Sequence, residues 1–226
     1  MDKTGRLIVI DGGDGSGKAT QTKLLAERLE SNNKTVVTFS FPRYAENMMG
    51  QLIGECQKGD HGDFVNLDPK IASVLYATDR YETKEKILNA LAANDYVIMD
   101  RYVSANQIHQ GGKIIDPDKQ QEFLQWLEDL EHGLFGMPKP DIVFYLNVPV
   151  SVSRKLLQAD NQRYKKLVYT AGKSDIVEDS TEYLENSRRQ ALEITKQFNN
   201  WQQIDCVVDN ELLSIQEIND LLFAKI

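Results

Sequence analysis

The stretch that decides the fold is Leu7-Ile8-Val9-Ile10-Asp11 followed by Gly12-Gly13-Asp14-Gly15-Ser16-Gly17-Lys18-Ala19-Thr20. It predicts an apolar strand, a glycine-rich turn and a helix. Glycines permit backbone angles that other residues resist, so successive N–H groups can point inward, where phosphate oxygens can lie. The following helix adds the positive end of its dipole, and Lys18 adds a mobile positive charge. The residues from Gly12 to Thr20 are therefore predicted to bind the phosphates of a nucleoside triphosphate.

One residue of this loop departs from the P-loop pattern. The pattern has Ser or Thr directly after the lysine, because that hydroxyl ligates magnesium. The chain has Ala19, which offers no ligand. Thr20 lies about 100° further round the helix and is a poor geometric substitute. The departure leaves open a catalytically weakened protein that only binds nucleotides.

Composition limits the class of protein. A chain of 226 residues fits one α/β domain over 1–226. Its net charge of −8 argues against a general nucleic-acid binder, although a local arginine cluster can still bind small anions. Two cysteines, Cys56 and Cys206, do not suggest a disulfide scaffold. Without a stretch resembling a signal peptide or membrane span, the expected setting is cytoplasmic, with no membrane partner.

Short apolar runs alternate with longer helical patterns along the chain. The predicted strands are Leu7–Asp11, Thr35–Ser40, Tyr96–Asp100, Asp141–Leu146 and Ile204–Val208. The predicted helices are Lys18–Ser31, Asn47–Gln57, Pro69–Asn94, Pro117–His132, Ser151–Ala159, Tyr183–Asn200 and Ser214–Phe223. This alternation indicates a central five-stranded parallel sheet flanked by helices, with ligands beyond the carboxyl ends of the strands. The polar segment at approximately 160–181 is interpreted as a lid, or alternatively as an exposed charged helix-turn-helix.

Two strands are followed by charged residues suited to phosphate chemistry. After the strand Tyr96–Asp100, Asp100 can orient magnesium and Arg101 can fork onto a phosphate; the alternative is a strand-end ion pair. After the second strand, Phe41-Pro42-Arg43 places an arginine where an acceptor phosphate can lie, unless it is an ordinary surface arginine.

Two helical segments carry groups suited to a nucleobase and its sugar. Tyr76 and Arg80 are spaced i, i+4, so a stacking ring and a carbonyl-binding arginine share a helix face. A core tyrosine with a solvent arginine is the alternative. Asn106 can satisfy both a donor and an acceptor on a base edge. His109 contacts a sugar or is simply a satisfied histidine. The sequence has no His/Cys cluster with metal-ligand spacing.

Together these residues resemble the thymidylate kinases. Four motifs match in order: the phosphate loop with its internal Asp14, the Phe-Pro-Arg turn, the arginine on the long helix, and Asp-Arg-Tyr followed by a polar helix. The resemblance covers most of the chain, to about Arg189. It implies a P-loop nucleoside monophosphate kinase fold, a homodimer, and transfer of the γ-phosphoryl of ATP to dTMP with Mg²⁺, giving ADP and dTDP.

The resemblance also implies roles for individual residues. On the ATP side, Lys18 and the loop amides hold the phosphates, and Asp100 organises Mg²⁺. On the dTMP side, Arg43 and Arg101 clamp the phosphate, Phe41 belongs to the acceptor-side turn, and Asp14 approaches the deoxyribose 3′-hydroxyl, with His109 near the sugar. Tyr76 stacks on thymine, Arg80 meets a thymine oxygen, and Asn106 reads the base.

The chain departs from the family pattern at two further positions. Gly15 stands where some members have an arginine, so the chain resembles the subclass whose lid supplies the catalytic cation. Arg163 and Lys173, with Lys166, are the lid candidates. His109 replaces a frequent Tyr or Phe, which bears on ribose discrimination. Arg154 is the candidate for stacking on adenine.

Rival functions make different demands on the sequence. Another deoxynucleotide or deoxynucleoside kinase is the nearest rival; Arg43 with Arg101 favours an acceptor that already carries a phosphate. A P-loop GTPase needs an Asn-Lys-x-Asp guanine motif after a later strand. The chain instead continues Asn147-Val148-Pro149-Val150 after the predicted fourth strand, which argues against a GTPase.

Overall fold

A central sheet of five parallel strands organises the molecule, for which a computed structural model describes residues 5–159 and 181–226 (the Ala159 side chain excepted). The strands are β1 (Arg6–Gly12), β2 (Val36–Ser40), β3 (Tyr96–Asp100), β4 (Ile142–Asn147) and β5 (Trp201–Asp205). Their order across the sheet is β2-β3-β1-β4-β5. The predicted five-stranded parallel sheet is confirmed.

Helices surround this sheet. They are α1 (Lys18–Ser31), α2 (Met48–Gln57), α3 (Pro69–Glu82), α4 (Lys84–Ala93), α5 (Val103–His109), α6 (Pro117–Glu128), α7 (Val150–Ala159), α8 (Thr181–Gln197) and α9 (Ile215–Phe223). The start of α3 follows the sequence directly. Asp68 caps it by accepting from the backbone N–H groups of Lys70 and Ile71, and Pro69 occupies the first turn. None of the helices in the described ranges is long and apolar enough to cross a bilayer.

Successive strand residues point to opposite sides of the sheet. Both faces are apolar because consecutive residues of the strands are apolar. Leu7 and Val9 face one core, which α4, α5, α6 and α8 cover. Ile8 and Ile10 face the other, which α1 and α9 cover. β1 lies between β3 and β4, and the segments that leave these three strands emerge at the same carboxyl edge. This edge is where a sheet of this kind binds ligands.

The predicted long helix Pro69–Asn94 is two helices, α3 and α4, separated by Thr83. The backbone N–H of Thr83 donates to the carbonyl of Arg80 at 3.0 Å, and its hydroxyl donates to the carbonyl of Asp79 at 3.3 Å. A threonine that hydrogen-bonds back to the preceding turn competes with the regular helical pattern and bends the helix. Apolar periodicity on either side of Thr83 conceals such a break.

The sequence predicts the fifth strand at Ile204–Val208, whereas the structure places it earlier, at Trp201–Asp205. Val207–Val208 instead pairs with Glu211–Leu212 in a separate antiparallel hairpin. Its two loop residues, Asp209 and Asn210, have positive φ angles of 51° and 65°. Two-residue hairpin loops favour residues of this type, which tolerate such angles. The turn signal lay in the sequence and the continuous apolar run obscured it.

Two predicted helices have different ends in the structure. The helix predicted at Pro117–His132 ends as α6, and a π-helical turn, Asp129–Leu134, follows it. The helix predicted at Tyr183–Asn200 begins earlier and ends earlier, as α8, because the chain must reach Trp201 to start β5. The sequence patterns gave no bounds for α5, which carries Asn106 and His109.

Candidate active site

The phosphate-binding loop, Gly12–Thr20, joins β1 to α1 as predicted. Gly15 and Gly17 have φ angles of 79° and 87°, which side-chain-bearing residues rarely adopt. Gly17 caps α1, and within residues 5–159 and 181–226 no side chain caps the start of this helix. Such N–H groups form an anion-binding site together with the helix dipole. The hydroxyl of Ser16 is buried and has no hydrogen-bond partner in the described residues, so the loop also holds an unsatisfied polar group.

Lys18 lies folded back over this loop. Its Nζ donates to the carbonyl of Gly13 at 2.8 Å and lies 3.8 Å from Oδ1 of Asp14. Burial, helped by the charge of Arg101, lowers the pKa of Lys18 to about 8. A buried ammonium with a depressed pKa gains from a new anionic neighbour. The lysine is therefore poised to bind phosphate oxygens.

Arg101 brings the end of β3 to the loop. Its Nη2 donates to Oδ1 of Asp14, and its backbone N–H donates to the carbonyl of Ile10 at 3.0 Å. Its φ angle is 66°, a left-handed conformation that is uncommon for a residue other than glycine. Burial by itself lowers the pKa of Arg101, but Asp14 and Asp11 raise it above its ordinary value. The structure thus places three of the predicted site residues in direct contact: Lys18, Asp14 and Arg101.

Asp11 and Ser104 were not predicted, and they connect the loop to α5. The Asp11 carboxylate is completely buried; Oδ1 accepts from the N–H of Gly12 at 2.8 Å, and Oδ2 accepts from the hydroxyl of Ser104 at 2.5 Å. A buried carboxylate must be hydrogen-bonded to be tolerated. The signal in the sequence was an aspartate ending an otherwise apolar strand directly before the glycines.

Asp100 lies at the carboxyl end of β3, beside Lys18 and Arg101. Burial raises its pKa, against the opposing effect of both cations. The described residues contain no group of three or more His, Cys, Asp or Glu side chains that could enclose a metal ion. Magnesium bound by one or two carboxylates together with substrate phosphates needs no such cage. A single carboxylate beside a phosphate-binding loop fits this mode.

The Phe41-Pro42-Arg43 turn is fixed from two sides. The N–H of Phe41 donates to the carbonyl of Asp100 at 3.0 Å. The N–H of Arg43 donates to Oδ2 of Asp79 at 3.1 Å, while Oδ1 of the same carboxylate accepts from Asn47 at 2.6 Å. The Arg43 guanidinium contacts the exposed carboxylate of Glu46. An exposed partner of this kind binds weakly and can be exchanged for a phosphate.

The base-side residues are partly engaged within the protein. Tyr76 is partly exposed, and its hydroxyl accepts from Gln57 at 3.2 Å while its ring lies 5.9 Å from that of Phe64. Arg80 is buried and forms a two-bond ion pair with Glu131, a residue the sequence patterns did not single out. The solvent arginine considered as an alternative is therefore excluded. Asn106 is buried and donates to the carbonyl of Ser73 at 3.1 Å.

His109 lies at the end of α5, facing α8. Its Nδ1 lies 3.2 Å from the hydroxyl of Ser187, and its ring stacks on Tyr183 with centroids 6.0 Å apart. Its Nε2 is buried without a partner in the described residues, and the histidine lines a small cavity together with Asp14. Burial, reinforced by Arg101, lowers the pKa of His109 to about 3, so the imidazole is neutral at physiological pH.

The structure does not describe the basic residues expected in the lid, Arg163, Lys166 and Lys173, or nearly all of the segment at approximately 160–181. Arg154, the candidate for adenine, donates to the hydroxyl of Thr181 at 2.7 Å. Ala19 and Thr20 are both exposed at the start of α1.

Taken together, the contacts described above gather the loop, β3 and acceptor-side residues at one sheet edge.

Comparisons with known proteins agree with this geometry. A family model described as thymidylate kinase matches residues 10–216. The thymidylate kinase of Plasmodium falciparum is 32% identical over 165 residues, covering 73% of this chain and 72% of that protein. The thymidylate kinase of Dictyostelium discoideum is 28% identical over 222 residues, covering 96% and 90%. That of Mycobacterium tuberculosis is 29% identical over 157 residues, covering 70% and 72%.

A solved structure extends the similarity to the whole fold. The thymidylate kinase of Candida albicans superimposes with a TM-score of 0.75 at 20% identity, covering all of this chain and 92% of that one. The likeness at this identity supports the P-loop kinase fold. Because the family model matches residues 10–216, a range that includes the loop, β3 and α5, the chain belongs to the thymidylate kinase family and is a nucleoside monophosphate kinase.

Proposed function

We propose that the protein transfers the γ-phosphoryl group of ATP to dTMP, giving ADP and dTDP, with Mg²⁺ bound to the nucleotide. The contact of Arg101 with Asp14, beside Lys18, carries the proposal. It joins a triphosphate-binding loop to the residues after β3 and β2, where a second, phosphorylated nucleotide can lie. Two sites that share one edge are what transfer between nucleotides requires.

Phosphoryl transfer depends on placement and on stabilising spread negative charge, so no covalent nucleophile is needed. The acceptor is already a phosphate oxyanion, and a strong general base is unnecessary. We assign charge stabilisation to Lys18 and Arg101, which lie within reach of one carboxylate, Asp14. Arg163 and Lys173 are the proposed sources of a further cation from the lid.

Asp100 is the residue proposed to hold Mg²⁺, together with phosphate oxygens and water. When bound, Mg²⁺ neutralises phosphate charge and fixes the geometry of the polyphosphate. The position of Asp100 beside Lys18 supports the assignment. Ala19 removes the hydroxyl that usually shares this task, so the carboxylate is expected to matter more here than in a loop with Ser or Thr.

The acceptor side is proposed to bind dTMP through residues from three elements. Arg43 and Arg101 bind its phosphate, and Asp14 approaches its 3′-hydroxyl. Tyr76 stacks on thymine, with Phe41 packed nearby in the turn. The partner that Arg43 now has, Glu46, is exposed and exchangeable, which supports a phosphate-binding role.

The base is proposed to meet Arg80 and Asn106, and the sugar to meet His109. His109 is neutral, so it can offer one donor and one acceptor but no charge. Its unpartnered Nε2 supports a ligand contact at this point. Because a histidine is smaller than the frequent Tyr or Phe, discrimination against ribonucleotides is expected to be looser here.

A steady-state ADP-release assay with ATP and a panel of acceptors tests the proposal. We expect the highest kcat/KM with dTMP, and lower values with dUMP, dCMP, AMP and thymidine. A higher value with dCMP or AMP would make the protein another monophosphate kinase. ATP binding without turnover on any acceptor would make it a weakened nucleotide-binding protein.

The Arg43→Ala variant tests the acceptor site separately. We expect dTMP affinity to fall at least about tenfold, as when a charge-assisted bond is lost, while ATP affinity stays unchanged. Isothermal titration calorimetry measures both. The matched control is Arg28→Ala, since Arg28 pairs with Asp220 on α9, away from this turn. Unchanged dTMP affinity in Arg43→Ala would contradict the assignment.

We propose further that the protein is a homodimer that works in the cytoplasm. One face of α3 exposes Ile71, Val74 and Tyr81, spaced as one helical stripe, and Met48 is exposed at the start of α2. Exposed apolar stripes of this kind favour contact with a second copy. Ultracentrifugation of Ile71→Glu is expected to give monomers, against dimers for the unmodified chain. Both cysteines are unpaired thiols, which suits a reducing compartment.

A further inference from the structure

We propose that Glu131 is a positioning residue, which holds the guanidinium of Arg80 so that its remaining donors bind a carbonyl oxygen of the acceptor base. This rests on the proposed function, in which Arg80 meets the base. The consequence is a preference for bases with a carbonyl at that point, as in thymine, over bases with an amino group, as in cytosine.

The geometry of the pair is specific. Glu131 is completely buried and Arg80 is 2% exposed. Nε of Arg80 donates to Oε2 of Glu131 at 2.9 Å, and Nη2 donates to Oε1. Two parallel bonds fix the guanidinium in plane as well as in position. A single bond would leave the group free to rotate about its long side chain.

Donor accounting shows what this arrangement leaves over. Arginine carries five N–H donors and no acceptor. The ion pair with Glu131 uses the donor on Nε and one on Nη2. Two donors on Nη1 and one on Nη2 have no partner in the described residues. They lie along the adjacent edge of the same plane, so the orientation that Glu131 imposes decides which way this edge faces.

Glu131 also contacts a second predicted base residue. Its Oε1 lies 3.4 Å from Nδ2 of Asn106, whose amide donates in addition to the carbonyl of Ser73 on α3. One carboxylate thus connects Arg80 on α3 with Asn106 on α5. A buried network in which each member fixes the next holds its donors in one orientation. This juxtaposition is unexpected if the carboxylate merely neutralises a buried charge.

The backbone around Glu131 is irregular in a way that suits this task. Glu131 lies on the π-helical turn Asp129–Leu134, and its carbonyl accepts from Met137 at 2.8 Å. Single π-helical turns are rare and are frequent at functional sites. The turn aims an acidic side chain into the interior, where a regular continuation of α6 would place residues differently.

The test compares substrates in variants of this pair. In Glu131→Gln we expect KM for dTMP to rise, and the ratio of kcat/KM for dTMP to that for dCMP to fall, each about tenfold. KM for ATP should not change. Arg80→Gln is expected to reduce the ratio equally, and the double variant should lose no more than the worse single one, because residues that act together are not additive.

The control for lost stability is Asn219→Ala, which removes a buried amide of α9 that bonds to Gln21. It should lower the melting temperature and leave the dTMP to dCMP ratio unchanged. If Glu131→Gln lowers only the melting temperature and keeps the ratio and KM for dTMP, the proposal is overturned. Should Glu131→Gln not fold, Glu131→Asp keeps the charge but shifts the guanidinium, and it must show the same fall in the ratio. An unmodified protein inactive on dTMP would instead refute the proposed function.

Discussion

Raising the pH above 8 should lower kcat/KM for ATP, because Lys18 loses its proton. The pKa of this ammonium in the free protein is about 8, because burial and the charge of Arg101 both disfavour the charged form. Only the charged form carries the positive charge that attracts phosphate oxygens. With a pKa of 8, the charged fraction falls about tenfold between pH 7 and pH 9. The value of kcat/KM for ATP should fall by the same factor over this range.

The sign of the effect on stability is opposite. Since the pKa of Lys18 lies below its ordinary value of 10.5, the folded protein disfavours the proton more than the unfolded chain does. This group therefore destabilises the fold below pH 8, and that cost disappears as the pH rises from about 8 to 10.5. Deprotonation of Lys18 therefore stabilises the fold, and unfolding caused by this titration cannot explain a loss of ATP binding at alkaline pH. Bound ATP should raise the pKa, so kcat should decline at higher pH than kcat/KM.

The assay is ADP release at saturating dTMP, with ATP varied between pH 6.5 and 9.5, and melting temperatures measured at each pH. Lys18→Arg carries a charge that does not titrate, so its residual activity should lack the alkaline fall. Lys113, whose pKa is also lowered to about 8 by burial, lies by the carbonyl of Leu67 and supplies the matched control. A fall that persists in Lys18→Arg and disappears in Lys113→Arg would refute the reasoning.

Three further outcomes are expected. Asp11→Asn should destabilise the protein by about 2 kcal/mol in urea unfolding, because one charged hydrogen bond is lost; a cycle with Ser104→Ala that gives no coupling would contradict the Asp11–Ser104 link. Gly15→Ala should lower the free energy of unfolding by about 1–3 kcal/mol and raise KM for ATP. An added Cβ would lie 2.6 Å from a carbonyl oxygen of α7, and the φ of 79° at this position disfavours any side chain. Gly13→Ala, which meets nothing within 4 Å, should keep its stability, and equal losses would refute the steric argument. Ala19→Ser should lower the magnesium concentration for half-maximal activity; an unchanged titration would mean that the carboxylate and phosphates suffice.

Local chemistry was enough to predict the sheet and the glycine-rich loop between β1 and α1. β3 matched its predicted bounds, Tyr96–Asp100, because an apolar run ends at two charged residues there. The loop followed from the spacing of glycines and Lys18. Such signals lie within a few residues, where backbone preference and side-chain alternation act directly.

Local signals failed where two tendencies compete. Thr83 interrupts a helix whose apolar pattern continues past it, through hydrogen bonds to its own preceding turn. Val207–Val208 belongs to a hairpin because two residues with positive φ angles follow it. In both cases the hydrophobic period was correct, and a local backbone preference decided the boundary.

The sequence by itself determined the parallel sheet and the edge at which the glycine-rich loop, Asp100 and Arg101 gather, since the order of strands, glycines and charges carries that information. Only the tertiary structure decided which partners hold those residues in place. Glu131 lies 51 positions from Arg80, and Ser104 lies 93 from Asp11. A buried carboxylate is chosen by what faces it across the core, and no local pattern records that pairing.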